Sequence, residues 1–320
     1  MFSVVIPLYN KSHTIEGTLN SVLGQTFKEF EIVIINDGST DDGVRKIIEL
    51  SSDDRIKIIN QDNQGVSLAR NKGVINSMYE YIAFIDGDDE WFPEYLSKMK
   101  EAIEMFPESE MFCGAGFGRT VDGAYSKRQI NKYDGHVLPF DFFENPHVFL
   151  HIGSTIVTKK LFNLIKGFPV GMKRNEDFAF LYSASLFTKP IYSGFNNSVY
   201  VGGVLGQATG ENIYNNISLL DDVINRYNIV YDSWIKSGSM NNSFITFMKY
   251  ELRHSFMINI YNKEFKTNIY FLMKLNPVIL THLNFVDRFF LKYSYLEILG
   301  IFYFKMTKVF WLLNGYQRVK

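Results

Sequence analysis

The first hundred residues alternate short apolar runs with stretches of helical pattern, and this alternation limits the possible folds more than any other feature. The segments between the runs, such as Gln64–Ser77, carry apolar residues at helical spacing. Buried strands joined by helices are typical of a mostly parallel sheet with both faces covered. We therefore predict an α/β fold. The four apolar runs are Ser3–Leu8, Phe30–Ile35, Arg55–Ile59 and Tyr81–Ile85.

Polar residues follow three of these runs at the point where each predicted strand ends. Asn10 follows the first run, Asp37 follows the second, and Asp86 follows the fourth. In sheets of this kind, ligands bind beyond the carboxyl ends of the strands. Three separate runs therefore bring polar groups to one edge of the sheet, which indicates a ligand site there.

The fourth run ends in an acidic motif, Asp86-Gly87-Asp88-Asp89. Carboxylates crowded in this way repel one another unless a cation lies between them. Mg²⁺ or Mn²⁺ bound by one or two carboxylates and by phosphate oxygens is a common arrangement in phosphate chemistry. The motif therefore indicates a metal site for a phosphorylated substrate. A solvated acidic turn without a metal is the alternative.

Composition excludes several classes of protein. The 320 residues, 46% of them hydrophobic, can form one large domain or two. A net charge of −1 gives no overall basis for nucleic-acid binding. The single cysteine, Cys113, excludes a disulfide framework. The N-terminal segment lacks the basic part of a signal peptide, and no run reaches the roughly 18 apolar residues of a membrane span. We therefore expect a cytoplasmic protein.

Six segments carry recognisable motifs: Val4–Asn10, Gln25-Thr26, Glu31–Asp41, Asn63–Gly73, Asp86–Asp89 and Glu176-Asp177. With these motifs in this order, the chain resembles the family 2 glycosyltransferases of the GT-A fold from residue 1 to about residue 200. The combination is specific, whereas each motif alone is weak. The resemblance implies a Rossmann-like, mostly parallel sheet flanked by helices, followed by a C-terminal helical region.

The resemblance places the nucleotide of a sugar donor at the ends of the first strands, against Pro7, Tyr9 and Asn10. Pro7 stiffens the strand exit, and the Tyr9 ring can stack on a flat pyrimidine. Asp37 can accept the imide N–H of uracil, although an Asx turn or a helix cap is its alternative role. The resemblance directs Arg70 to the base or the diphosphate. A surface salt bridge is the alternative for Arg70.

The resemblance also divides the acidic motif by role. It implies that Asp86 contacts the ribose or the donor sugar, that Asp88 binds Mn²⁺ or Mg²⁺, and that Asp89 supports the metal or binds the donor sugar. The metal would neutralise the charge that builds on the departing nucleoside diphosphate.

A second acidic pair, Glu176-Asp177, precedes an apolar helical pattern. Acidic residues at a helix N-terminus have a simple explanation in the helix dipole. The resemblance instead implies that Asp177 is the general base that deprotonates the acceptor hydroxyl. Glu176 would then orient the donor sugar or have a structural role. One direct displacement then inverts the anomeric centre.

The histidines offer no zinc-type spacing. His136, His147 and His151 are therefore expected in surface or packing roles. Gly153–Thr155 matches the acceptor-side segment of the family. Some relatives carry a metal-binding histidine after the base helix, but Val201–Thr209 contains none.

The sequence changes character after about residue 211. We predict a catalytic domain over 1–210 and a helical region over 211–320, with helices that include Phe244–Tyr261 and Phe285–Leu313. The last segment combines aromatic and basic residues, as membrane-interface helices do. The alternative is a helical region that packs on the core or on a second copy in a homodimer.

Taken together, these features predict an inverting, metal-dependent transfer of a sugar from a nucleoside-diphosphate sugar, most simply a UDP-sugar. By analogy with bacterial enzymes of this kind, the acceptor is a polyprenyl-pyrophosphate-linked glycan in O-antigen or capsule synthesis, met at the inner face of the cytoplasmic membrane. A non-catalytic nucleotide-sugar-binding protein of the same fold is the alternative. A nucleotidyltransferase is disfavoured because the Gly-rich N-terminal phosphate loop is absent.

Overall fold

The computed structural model describes residues 1–120, 122–128, 131–144, 150–203, 217–238, 242–261, 265–293 and 297–313. The chain divides into two compact units. The first unit combines Met1–Asp141 with Val148–Glu211, and the second combines Phe142–His147 with Asn212–Lys320. The predicted boundary between residues 210 and 211 lies outside the described residues.

One sheet forms the centre of the first unit. Its ten strands, within the described residues, are β1 (Phe2–Leu8), β2 (Phe30–Asp37), β3 (Ile56–Gln61), β4 (Tyr81–Phe84), β5 (Glu90–Trp91), β6 (Met111–Thr120), β7 (Tyr125–Arg128), β8 (Val137–Pro139), β9 (Thr155–Thr158) and β10 (Ile191–Gly202).

Helices connect the first four strands, as the alternating pattern predicts. The described helices of the first unit are α1 (Ile15–Leu23), α2 (Gly43–Leu50), α3 (Val66–Ile75), α4 (Tyr95–Met105), α5 (Lys159–Leu164) and α6 (Glu176–Phe187). A short 3-10 turn, Ile152–Ser154, leads into β9.

The sheet order is β3-β2-β1-β4-β9-β6-β10-β5, with β7 beside β6 and β8 beside β10. The four strands β3, β2, β1 and β4 run parallel, as do β6 and β10. The predicted α/β fold class is therefore confirmed. Strand β9 runs antiparallel to both β4 and β6, and it joins the two parallel groups.

Burial explains why β1 lies in the middle of the parallel group. All seven residues of β1 are buried, because helices cover the sheet on both faces. Helix α3 lies directly on β1 at Gly73, where a Cβ atom would lie 2.3 Å from Val5 Cγ1. Only glycine permits this close approach. Cys113 lies in β6 with no exposed surface, and burial raises the pKa of its thiol to about 12.

The second unit is helical throughout its described residues. Its helices are α7 (Ile217–Ser237), α8 (Asn242–Tyr261), α9 (Phe265–Lys274), α10 (Pro277–Thr281), α11 (Phe285–Lys292) and α12 (Glu297–Leu313). Aromatic rings fill part of its core: Phe143 packs edge-on against Phe244, with ring centroids 5.1 Å apart, and Phe142 against Phe247 at 5.6 Å. Helix α8 confirms the predicted helix over Phe244–Tyr261.

The predicted helical segment Phe285–Leu313 consists, in its described residues, of two helices. Helix α11 ends at Lys292, and α12 begins only at Glu297. A buried polar cluster holds the two helices on α8: Arg253 Nε lies 2.8 Å from Asp287 Oδ1, and the Tyr303 hydroxyl donates to the same carboxylate at 3.1 Å. Within the described residues, every helix is too short or too polar to cross a bilayer.

Candidate active site

The end of β1 meets the end of β2 through side-chain hydrogen bonds. Asn10 adopts a left-handed backbone with φ of 50°, and its Oδ1 accepts a hydrogen bond from the Thr40 backbone N–H at 2.9 Å. Its own N–H donates to Ser39 Oγ. Tyr9 stands beside this junction with 48% of its surface exposed, while Pro7 is buried. The aromatic face that we predict for the nucleotide base is therefore accessible.

Asp37 is buried at the end of β2 and holds the start of α3. Its Oδ1 accepts hydrogen bonds from Gln61 Nε2 at 2.7 Å and from the Gln64 backbone N–H at 2.9 Å. Its Oδ2 accepts one from the Gly65 backbone N–H, also at 2.9 Å. The carboxylate thus holds the two residues, Gln64 and Gly65, that lead into α3, and base recognition remains a prediction.

Arg70 connects the two acidic motifs. It is buried, with Nη2 2.6 Å from Asp86 Oδ1 and Nη1 3.0 Å from Glu176 Oε1. Its guanidinium also lies over the Phe168 ring, 5.2 Å from the centroid. Because the Arg70 side chain is only 4% exposed, the alternative of a surface salt bridge does not describe these ion pairs. Arg70 brings the end of β4 to the start of α6.

The pKa values of the two carboxylates beside Arg70 shift in opposite directions. Burial raises the pKa of Asp86, but the Arg70 charge and hydrogen bond outweigh it, and the pKa falls below its usual value. Burial also raises the pKa of Glu176, to about 7, because Arg70 opposes this effect only in part and the neighbouring Asp177 adds to it. Glu176 therefore changes charge near neutral pH.

Asp177 lies in the first turn of α6. Asn175, the residue before the helix, has a left-handed backbone with φ of 63°, which turns the chain into the helix. Asp177 Oδ1 accepts a hydrogen bond from the Phe178 backbone N–H at 2.7 Å. The predicted base thus lies next in sequence to a carboxylate, Glu176, that shares Arg70 with the metal motif.

Asp88, the predicted metal ligand, forms an ion pair with Lys11. The two atoms, Lys11 Nζ and Asp88 Oδ2, lie 2.6 Å apart. The adjacent Gly87 carbonyl accepts a hydrogen bond from Thr14 Oγ1 at 2.7 Å. Sequence reasoning missed Lys11, although it directly follows the Pro7–Asn10 motif.

Asp89 is buried and contacts Val201 and His151. Its Oδ1 accepts a hydrogen bond from the Val201 backbone N–H at 3.1 Å. Its Oδ2 makes no hydrogen bond, and it lies 3.3 Å from His151 Nε2. Burial, followed by the charges of Asp86 and Asp88, raises the pKa of Asp89 well above its usual value. Such a carboxylate gains much from a nearby cation.

One oxygen each of Asp86 and Asp89 and one nitrogen of His151 lie within 4.8 Å of one another. Two carboxylates, one with a buried oxygen that accepts no hydrogen bond, fit a divalent cation. Sequence reasoning assigned His151 a surface or packing role, yet the structure places it against the acidic motif. No local spacing pattern signals this contact, because it joins distant parts of the chain.

Gly153 lies against both His151 and Asp89. A Cβ atom there would lie 2.7 Å from His151 Cε1 and 2.9 Å from Asp89 Oδ2. The Gly153 carbonyl accepts a hydrogen bond from Trp91 Nε1 at 2.6 Å. Any larger residue would therefore displace the histidine or the aspartate. His147 and the segment 204–209 lie outside the described residues.

Comparison with known proteins now identifies the family. The family model described as "Glycosyl transferase family 2" matches residues 3–165, just over half of the chain. The chain belongs to glycosyltransferase family 2. The match covers the strands and helices that carry the acidic motif, Asp37 and Arg70.

Curated relatives of this glycosyltransferase include uncharacterized glycosyltransferases. One from Rickettsia conorii is 32% identical over 186 residues, which cover 56% of this chain and 30% of that protein. Escherichia coli YibD is 40% identical over 105 residues, which cover 32% of this chain and 30% of YibD. This chain thus matches about a third or less of the length of these curated relatives.

Solved structures share its fold over more of the chain. Staphylococcus aureus TarS (residues 1–349) in complex with UDP superposes with a TM-score of 0.69 at 17% identity, covering 94% of this chain and 88% of that one. The mannosyltransferase PcManGT from Pyrobaculum calidifontis, in complex with GDP-Man and Mn²⁺, gives a TM-score of 0.53 at 17% identity, with 76% and 66% covered. The fold is therefore that of the GT-A glycosyltransferases.

Proposed function

We propose that this glycosyltransferase moves a sugar from a UDP-sugar to a hydroxyl group of a glycan acceptor, with inversion at the anomeric carbon. The observation that carries the proposal is the Arg70 bridge between Asp86 and Glu176. It ties the motif expected at the donor diphosphate to the helix turn that carries the expected base. The proposed sites for the donor diphosphate and the acceptor hydroxyl therefore lie next to each other at one edge of the sheet.

The donor site that we propose consists of Pro7, Tyr9, Asn10, Asp37 and Arg70, with Asp86, Asp89 and Glu176 toward the sugar. The accessible Tyr9 ring supports stacking on a nucleobase. A uridine donor is further supported by TarS, whose structures include complexes with UDP and with UDP-GlcNAc. Because PcManGT is in complex with GDP-Man, the donor screen that tests the proposal includes a guanosine donor.

In the proposed reaction, Asp177 takes the proton of the acceptor hydroxyl as the acceptor oxygen attacks the anomeric carbon. The bond from that carbon to the phosphate oxygen breaks on the opposite side, and the nucleoside diphosphate leaves with the electron pair. Because attack and departure lie on opposite faces of the sugar, one displacement inverts the configuration. Arg70 and Glu176 hold the surrounding polar groups in place during this step.

The acidic motif is proposed to hold Mn²⁺ or Mg²⁺, with Asp88 as a ligand. When bound, the cation would supply positive charge to the departing diphosphate. The Asp89 oxygen without a hydrogen bond supports such a site, as does the Mn²⁺ complex of PcManGT. Lys11 already offers Asp88 one positive charge, so cation binding at Asp88 involves displacement of Lys11 or its rotation toward the diphosphate.

For the acceptor, we propose a polyprenyl-pyrophosphate-linked glycan of bacterial surface-polysaccharide synthesis. The helical region after residue 210 would contact this acceptor at the membrane surface, from the cytoplasmic side. Exposed apolar residues on α12, among them Phe302 and Met306, support a membrane or protein contact. A homodimer through the same helix is the competing arrangement.

The test is a donor screen with the purified protein, Mn²⁺ and a panel of UDP-sugars together with GDP-mannose, scored by release of nucleoside diphosphate. We expect release from one or more UDP-sugars and not from GDP-mannose. The Asp177→Asn variant should bind the same donor, while Asp54→Asn, at an exposed surface position, should behave as wild type. Donor binding without turnover by wild type, even with acceptor glycans present, would favour the non-catalytic alternative.

A further inference from the structure

The geometry points to His151 as a further protein ligand of the divalent cation, beside Asp86 and Asp89 and in addition to the Asp88 ligand proposed above. This inference rests on the proposed function, because it concerns the cation of the same donor site. Neither the motif pattern nor the order of residues along the chain assigns His151 any such role. It follows only from where the chain places the imidazole.

The first observation is the spacing of the candidate ligand atoms. His151 Nε2 and Asp89 Oδ2 lie 3.3 Å apart. An octahedral ion with ligands at about 2.1 Å holds neighbouring ligand atoms about 3 Å apart. The pair therefore has the separation of two adjacent ligands of one ion, and a nearby Asp86 oxygen completes a group within 4.8 Å.

The second observation is the state of Asp89. The side chain is 2% exposed, and its Oδ2 accepts no hydrogen bond although His151 Nε2 is close. A buried carboxylate oxygen left in this way costs free energy. A cation bound by both atoms removes that cost.

The third observation is that the imidazole is held in position. The His151 ring packs edge-on against Tyr200, with centroids 5.0 Å apart. Its backbone carbonyl accepts hydrogen bonds from the Ser154 backbone N–H and from Thr155 Oγ1. Gly153 leaves the space that the ring fills. A ligand fixed in this way loses little conformational freedom when the ion binds.

The ligand set has a consequence for the choice of metal. Mg²⁺ strongly prefers oxygen ligands, whereas imidazole suits transition metals. A site in which His151 joins the carboxylates of the acidic motif should therefore bind Mn²⁺ more tightly than Mg²⁺. Replacing the histidine by glutamine should reduce this preference, because glutamine offers an amide oxygen.

The test uses the full chain loaded with Mn²⁺, without donor. Electron spin echo envelope modulation detects nitrogen bound to Mn²⁺, and titration followed by electron paramagnetic resonance gives the Mn²⁺ affinity. We expect a nitrogen coupling in wild type that His151→Gln removes, together with a roughly ten- to hundredfold weaker Mn²⁺ affinity. The control is His136→Gln, which changes an exposed histidine of the first unit and should leave both signals unchanged.

A second variant, Gly153→Ala, keeps all three ligands but places a methyl group against His151 and Asp89. It should also weaken Mn²⁺ binding. Mn²⁺ bound to wild type without nitrogen coupling, or a coupling that persists in His151→Gln, would overturn the inference. These outcomes do not depend on turnover: a nitrogen coupling without UDP-sugar turnover would contradict the proposed function but keep His151 as a ligand.

Discussion

The ionisation of Glu176 depends on the charged groups around it in the site. It shares Arg70 with Asp86, it precedes Asp177 in the chain, and its pKa is raised to about 7. At neutral pH, a proton on this group changes the charge beside the expected base. The folded state binds that proton more tightly than the unfolded chain does, and this difference is measurable.

The first prediction concerns the pH dependence of stability. The pKa of Glu176 is about 7 in the folded protein, and the ordinary glutamate pKa of 4.5 applies to the unfolded chain. Its contribution to stability is therefore complete below pH 4.5 and is lost as the pH rises to about 7. The loss is on the order of 3 kcal/mol, and Glu176→Gln should not show it.

Denaturant unfolding of wild type and Glu176→Gln at a series of pH values checks this prediction. The free energy of unfolding of the variant, minus that of wild type, should grow between pH 4.5 and 7 and then level off. A difference that stays constant over this range would show that Glu176 titrates normally in the folded protein.

The second prediction concerns Asp177. Asp177→Asn keeps the shape of the side chain but cannot accept a proton. We expect UDP-sugar affinity within a few fold of wild type and a transfer rate lower by roughly 10²–10⁴. Calorimetry and product analysis by NMR measure both, and the wild-type product should have the inverted anomeric configuration. Lost donor binding with substantial residual turnover would place Asp177 at the donor instead.

The third prediction concerns the cation. We expect transfer to require Mn²⁺ or Mg²⁺ and Asp88→Ala to lose transfer while the protein stays folded. Because Asp88 is paired with Lys11, the variant also leaves that ammonium without this carboxylate. Lys11→Met is therefore the companion variant, which keeps Asp88. Full turnover in excess EDTA would contradict the requirement for a metal.

Sequence reasoning could find the site residues that directly follow apolar strands, such as Asp37 and Asp86. The strand end fixes their position at the sheet edge, and little else is needed. It could not find Lys11 or His151, because their roles depend on which distant side chains the fold brings near. Nor could it show that Arg70 forms ion pairs with two carboxylates from distant parts of the chain.

At the scale of elements, the contact between α3 and β1 sets the position of Arg70. Helix α3 carries Arg70 on one turn and Gly73 on the next, and Gly73 lies against Val5 of β1. The small residue brings the helix close to the sheet, and the Arg70 side chain then reaches the end of β4. The position of the helix on the sheet and the geometry of the acidic site are thus linked.

The fourth prediction follows from this contact. Gly73→Ala places a methyl group 2.3 Å from Val5 Cγ1, so the helix must move away from the strand. We expect a loss of roughly 1–3 kcal/mol of stability, together with weaker donor binding. Thermal and denaturant unfolding measure the first effect, and calorimetry measures the second. Ile75→Ala, on the exposed side of the same helix, is the control and should change stability by less than about 0.5 kcal/mol.

The elements that the sequence pattern predicts best are the first four strands and the helices between them. Apolar runs bounded by polar turns mark β1, β2, β3 and β4 to within one or two residues. Strand β9 could not be placed, because its antiparallel partners on both sides come from distant parts of the chain. The break between α11 and α12 was also missed, because aromatic residues continue through it without a glycine or proline.

At the scale of the whole molecule, the second unit presents both a packed and an exposed face. Arg253, Asp287 and Tyr303 fix α11 and α12 on α8. On α12, Ile298, Phe302, Met306 and Val309 are each more than half exposed. These four positions recur at helical spacing and form one apolar stripe.

The fifth prediction tests whether this stripe meets a membrane. The full chain should sediment with anionic vesicles, and salt should weaken the effect because the basic residues near α12 each add about 1 kcal/mol of attraction to an anionic surface. The double change Phe302→Asp and Met306→Asp should abolish sedimentation and leave donor hydrolysis intact. Truncation at residue 285 is a poorer test, because it removes the partner of the buried Arg253.

The control for this prediction is Ile75→Asp, which adds charge at an exposed apolar position of the first unit. If wild type does not sediment with vesicles but forms a dimer, and the double variant is monomeric, the stripe is a subunit interface. Light scattering distinguishes this outcome from membrane binding.

Cys113, buried in β6 with a thiol pKa of about 12, makes the chain convenient for site-directed labelling. Thiol reagents attack the thiolate, and this residue offers neither the thiolate nor access at neutral pH. Since it is the sole cysteine of the sequence, a cysteine introduced on the surface carries a fluorophore or spin label at one defined place. The wild-type chain is thus already a suitable background for distance measurements during donor binding.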